Sequence, residues 1–126
     1  SQRNLSEEGR EQAFRIGQKF KAARIKISKI YSSQWCRCME TAAYMNLGET
    51  IAEPGLNSFF QGIVKRDKTL SILRKRLDSI EKFQQLVLMI THQVTITAIT
   101  GITVSSGGAV AFNTKSGKSK EVRTLD

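Results

Sequence analysis

Gln85 to Gly101 constrains the fold of this chain more than any other stretch. Leu86 to Ile90 is an unbroken apolar run of strand length, the pattern of a strand covered on both faces as in a parallel sheet. It stops at Thr91-His92-Gln93, after which Val94, Ala98 and Ile99 can share one helical face and Gly101 stands where helices commonly end. His92, the only histidine, therefore falls on a strand-to-helix turn. In open α/β sheets such turns lie beyond the carboxyl ends of the strands, where ligands bind and helix N-termini favour anions. A second stretch has the same design. Lys29 to Ser33 reads as a short strand with a polar end, and Gln34 to about Asn46 as a helix packed through Trp35, Met39, Ala42, Ala43 and Met45 and closed by Leu47-Gly48. Arg37 falls in the first turn of that helix, where a cation opposes the helix dipole, a mild reason to expect an anion there; for any single arginine a solvated surface side chain is the commoner outcome.

The remaining segments supply the layers. Ser6 caps a helix over residues 7–22, with Glu7 and Glu8 in its first turn and Ala13, Ile16, Gly17 and Phe20 at helical spacing. Glu49 to Gly62 holds the only proline and reads as a packed loop, with Phe59 and Phe60 plugging a core edge. Asp67 is placed to cap a helix from Lys68 to about Phe83, with Leu70, Leu73, Leu77 and Ile80 on one face. Ser105-Ser106-Gly107-Gly108 is a turn, and Ala109–Asn113 with Lys120–Thr124 forms a closing hairpin. Helix, strand, helix, loop, helix, strand, helix and hairpin, in that order, specify one α/β domain over residues 1–126: three layers, α/β/α, on a mainly parallel sheet with right-handed crossovers.

In such a fold the turns after Ser33 and Ile90 lie on the same side of the sheet, so Arg37 and His92 are expected to converge. An Arg fork matches phosphate bidentately, and a neighbouring His donates to a phosphoryl oxygen or exchanges a proton near neutral pH. The net charge of +9 and pI near 9.9 agree with an anionic partner. The most basic region, Lys65 to Arg76, has no aromatic interleaving and no nucleic-acid motif, which disfavours nucleic acid. No 18-residue apolar run is present, so no membrane span is expected. Cys36 and Cys38 project in different directions from a helix and are not expected to bridge each other; with one His they make a poor zinc set, and neither a metal nor a cofactor is expected.

Three groups of residues carry a family resemblance. Leu5-Ser6-Glu7-Glu8-Gly9-Arg10-Glu11-Gln12-Ala13, then Tyr31-Ser32-Ser33-Gln34-Trp35-Cys36-Arg37-Cys38-Met39-Glu40-Thr41-Ala42, then Ile90-Thr91-His92-Gln93 with Thr100-Gly101 and Ser105-Ser106-Gly107, resemble successive landmarks of the histidine phosphatase superfamily, the phosphoglycerate-mutase-like proteins. The resemblance implies phosphoryl transfer through a phosphohistidine, one His attacking phosphorus while arginines and a second His hold the transferring oxygens. Arg37 then matches the phosphate-binding Arg, and His92 the second histidine. The family's Arg-His-Gly segment, with the nucleophile on a central strand, finds no counterpart here, which implies an N-terminally incomplete domain that binds phosphate without turnover. Where many members carry a proton-donating Glu, the loop residues Leu56-Asn57-Ser58 provide an amide and a hydroxyl. Asn57 and Ser58 are thus candidates for a substrate loop, and a phosphoryl donor whose leaving group needs no proton is favoured. The implied partners are a phosphorylated small molecule or a phosphoprotein, and a second copy is admissible at the sheet edge left open by the missing strand. The competing reading is a noncatalytic anion-binding or interaction module.

Overall fold

The computed structural model describes residues 4–59, 62–81 and 86–123. Helix α1 spans Glu7–Ala22, and the Ser6 side chain accepts from Gly9 N at 3.0 Å as its cap. Strand β1 (Lys29–Ser32) leads through the first turn into α2 (Cys36–Met45). Gly17 lets α1 lie directly on the end of α2: a Cβ there would run into the Met45 carbonyl oxygen. Asn46, in the left-handed region at φ 52°, ends α2 one residue before the expected Leu47-Gly48 close. An Asn side chain tolerates that conformation better than most, so the stop needs no glycine.

The stretch expected to be a loop contains a third strand. β2 (Thr50–Ala52) pairs in parallel with β1, Ile30 opposite Thr50 and Ser32 opposite Ala52, and is followed by a 3-10 turn at Pro54–Leu56. Three residues carry too little alternation to announce a strand; the hydrogen bonds of β1 make it one. Helix α3 runs over Ile63–Asp78, starting five residues earlier than expected, with Gly62 at its N-cap at φ 117°. Asp67 is therefore inside the helix, exposed and paired with Arg66 at 3.3 Å. The helix also ends at Asp78, with Ser79 as its C-cap, five residues before the expected end at Phe83 and with Ile80 beyond it. Phe60 and Phe83 themselves lie outside the described residues, and Phe59 is buried as expected.

Strand β3 (Val87–Ile90) pairs in parallel with β1 on the side opposite β2, with Ser32 facing Ile90. Helix α4 (Gln93–Thr100) ends at Gly101, φ 75°. Its inward side chain is Thr95, 1% exposed, while Val94 is 46% exposed, so Val94 does not join the buried face. Strands β4 (Ala109–Phe112) and β5 (Ser119–Val122) form a separate antiparallel hairpin; Thr124 lies outside the described residues.

Alternation along β3 shows the layers. Leu88 and Ile90 pack against the cluster of Ala13, Ile16, Phe20 and Met45 from α1 and α2. Val87 and Met89 pack on the other face, with Tyr31, Leu56, Leu73, Leu77 and Ile99. The parallel sheet is thus covered by α1 and α2 on one face and by α3 and α4 on the other, a three-layer α/β/α arrangement with order β2-β1-β3. Among the described residues β3 pairs only with β1, and all four of its residues are only partly buried.

Candidate functional site

Parallel pairing of β1 with β3 puts the two strand-to-helix turns side by side. The ladder continues past Ser32 and Ile90, Ser33 N donating to Ile90 O at 2.9 Å. One residue further along β3 stands Thr91, then His92 at the N-cap of α4. The imidazole Nε2 lies 2.9 Å from Ser33 Oγ and 3.8 Å from Cys38 Sγ, and the Trp35 and His92 rings meet in a T-shaped arrangement, centroids 4.9 Å apart and planes at 70°. The two turns that the sequence marks as separate are one cluster.

The hydrogen bonds fix proton positions. Asn57 Oδ1 takes a bond from Gln34 N at 2.8 Å and one from Ser33 Oγ at 3.1 Å, while Asn57 Nδ2 donates to Gln34 Oε1 at 2.9 Å. A carbonyl oxygen only accepts, so the single Ser33 hydroxyl proton is directed at Asn57. The Ser33 oxygen is then left to accept, from Trp35 N at 3.2 Å and from His92. Neutral His92 accordingly carries its proton on Nε2, a tautomer assigned from its partners. Ser33 is 0% exposed, which excludes it as a nucleophile toward a ligand.

Burial pushes the His92 pKa below its ordinary value, and the positive charge of Arg37 lowers it further. Arg37 is exposed in the first turn of α2, near enough to act on His92 through charge. Burial raises the pKa of Cys38, with the charge of Arg37 opposing, so this thiol stays neutral and is a packing group. Neither cysteine is in a disulfide. Neither α2 nor α4 has a side-chain cap at its N-terminus, unlike α1, so the two helix ends present backbone N–H groups and positive dipole ends beside Arg37 and His92. An electropositive corner with a half-buried imidazole is suited to a tetrahedral oxyanion.

Asn57 joins this cluster through the Ser33 turn, and Ser58 follows it, half-buried. Among the described residues no three His, Cys, Asp or Glu side chains stand where they hold a metal ion. Glu53, a carboxylate 3% exposed at the end of β2, was not among the residues expected from the sequence. Its signal was the following Pro54, since an acidic residue before a proline at a helix start is a capping pattern. Ser33 and Thr91 were likewise not expected as bonding groups.

Residues 2–85, two thirds of the chain, match the histidine phosphatase superfamily (branch 1). The chain belongs to that superfamily. No curated protein sequence matches it significantly. Among solved structures, it is similar to the protein histidine phosphatase SixA complexed with tungstate, at 15% identity and a TM-score of 0.64 over 97% of this chain and 83% of that one. It is also similar to phosphoglycerate mutase from Plasmodium falciparum, at 18% identity and 0.58 over 94% and 83%. At such identities the likeness is one of fold. The superfamily match includes Arg37, Asn57 and Ser58 but stops short of His92, which is joined to those residues by its contact with Ser33.

Proposed function

We propose that this domain serves phosphoryl hydrolysis through a phosphohistidine, with Arg37 and the helix ends binding phosphate and His92 as the supporting histidine. The observation that carries this reading is the contact of His92 with the turn that bears Arg37. On this reading the nucleophile is a second histidine, which these 126 residues do not contain, His92 being the only one in the sequence. Its ring nitrogen attacks phosphorus, the bond from phosphorus to the leaving oxygen or nitrogen breaks with the electron pair on the leaving atom, and water then cleaves the P–N bond to release orthophosphate. Arg37 offsets charge on the equatorial oxygens as it develops. A phosphoprotein is the favoured substrate class. The fold likeness to a protein histidine phosphatase points that way, and Glu53, the carboxylate near the loop, is occupied by other partners, so a leaving group that needs no proton is suited to the site.

The 126 residues alone are expected to bind inorganic phosphate without turnover. Phosphate near the imidazole favours its cation, so the His92 titration followed by proton NMR moves to higher pH in the presence of phosphate. Hydrolysis of p-nitrophenyl phosphate by this chain, lost in His92→Ala, would overturn the supporting role by showing that no second histidine is required. The second reading, a noncatalytic anion-binding module, rests on the same lone histidine; a full-length chain that binds phosphate but forms no phosphohistidine would establish it.

A further inference from the structure

We propose that Glu53 is a positioning residue for this site, acting with Arg76 through the 3-10 turn Pro54–Leu56; the proposal rests on the phosphate reading above. The turn is too short to hold itself, since a 3-10 segment of three residues has few internal bonds and poor geometry. Its order comes from outside. Glu53 N donates to Ser32 O at 2.8 Å, Glu53 Oε2 accepts from Gly55 N at 2.9 Å, and Glu53 Oε1 accepts from Arg76 Nε at 2.6 Å. Gly55 brings the turn against the backbone of α3, where a Cβ would stand 2.6 Å from Leu73 N. Arg76 lies over the Tyr31 ring at 4.8 Å, so the guanidinium is held between β1 and the carboxylate.

From this turn bonds run to both parts of the site, to the end of β3 and to the turn after β1. Thr91 Oγ1 donates to Leu56 O at 2.6 Å, fixing the residue before His92. Asn57 accepts from Gln34 N and Ser33 Oγ, fixing the partner of the His92 imidazole. One turn thus sets the distance between the two halves of the anion site. A carboxylate 3% exposed is tolerable only while its cation and its backbone donor are in place. Loss of Arg76 is therefore transmitted along 53–57 to Ser33 and His92, although Arg76 itself lies in a different place, on a cleft of 270 Å³ lined by Glu53, Ile72, Lys75, Arg76 and Ser79.

The test titrates inorganic phosphate into the wild type, Arg76→Met, Asn57→Ala and the double variant, following the single histidine resonance. Each single change is expected to weaken binding about tenfold, and the double by no more than either alone, because both act through the same turn. Arg76→Lys, which retains a cation, is expected to recover most of the affinity. The midpoint of the His92 titration, measured without phosphate, is expected to shift in Arg76→Met in the same direction as in Asn57→Ala. Should Arg76→Met fail to fold, Glu53→Gln replaces it, keeping an acceptor for Gly55 N. Losses that multiply to about a hundredfold in the double variant, or a folded Arg76→Met with wild-type binding and titration, would overturn the positioning role. Failure of the wild type to bind phosphate would overturn the phosphate reading alone, since the titration midpoints still decide whether Arg76 reaches His92.

Discussion

Ser33 and His92 stand at the ends of neighbouring parallel strands, yet Ser33 is 0% exposed and His92 is half-buried. β1 has a strand on each side and helices above and below, so Ile30, Tyr31, Ser32 and Ser33 are all buried and its polar end is fully bonded. β3 has one strand neighbour among the described residues, and Val87 to Ile90 remain partly exposed despite being more apolar. Burial follows the number of neighbours and not the hydrophobicity of the strand itself. The two strand ends differ accordingly: the buried Ser33 at the end of β1 is fully bonded, and the turn after β3 carries a half-buried imidazole that still reaches solvent.

The strongest way to break this comparison is by core truncation. Ile30→Ala on β1 is expected to cost about 2–5 kcal/mol, and Leu88→Ala on β3 about half as much, because a half-exposed side chain loses less on removal. Urea denaturation of both variants measures the ratio, and equal costs would mean that β3 is as well covered as β1. Next in size is the pH dependence of stability. His92 titrates lower in the folded state than its ordinary value of 6.5, so the unfolded chain takes up its proton first as pH falls. Stability is therefore full above that value and declines as pH is lowered from it toward the folded pKa, then levels off. The decline attributable to this group disappears in His92→Gln, and a profile unchanged by that substitution would place the imidazole in water. The smallest effect is that of Arg37→Gln, which is expected to move the His92 midpoint upward only part of the way to its ordinary value, since burial is the larger cause. NMR titration of the one histidine reads this directly; a complete return would mean that the charge of Arg37, and not burial, lowers the His92 pKa.

Much of the site was legible because it sits where local pattern is strongest. The apolar run before Thr91, the helical spacing after it and the repeat of that design at Ser33 mark both turns without any tertiary information. The bounds of α1 and the inward face of α3 at Leu70, Leu73 and Leu77 follow from periodicity in the same way. What failed was short or nonlocal. β2 is three residues made into a strand by β1, the start of α3 was set by Gly62 and not by the better capping chemistry of Asp67, and Val94 points outward because Thr95 takes the buried position.

By itself, the sequence determined the order of the helices and of every strand but β2, the layered class and the two turns bearing Arg37 and His92, since these depend on spacing along the chain. Only the tertiary structure decided that β1 lies directly beside β3, which brings Ser33 within 2.9 Å of His92 Nε2. It also decided that Glu53 turns inward to Arg76 and that Asn57 bonds to the site's frame. Strand order and side-chain pairing link residues 23 to 59 positions apart, and no local preference encodes which of several parallel strands will be neighbours. Which residues stand on the two turns was thus local information, and their assembly into one cluster was not.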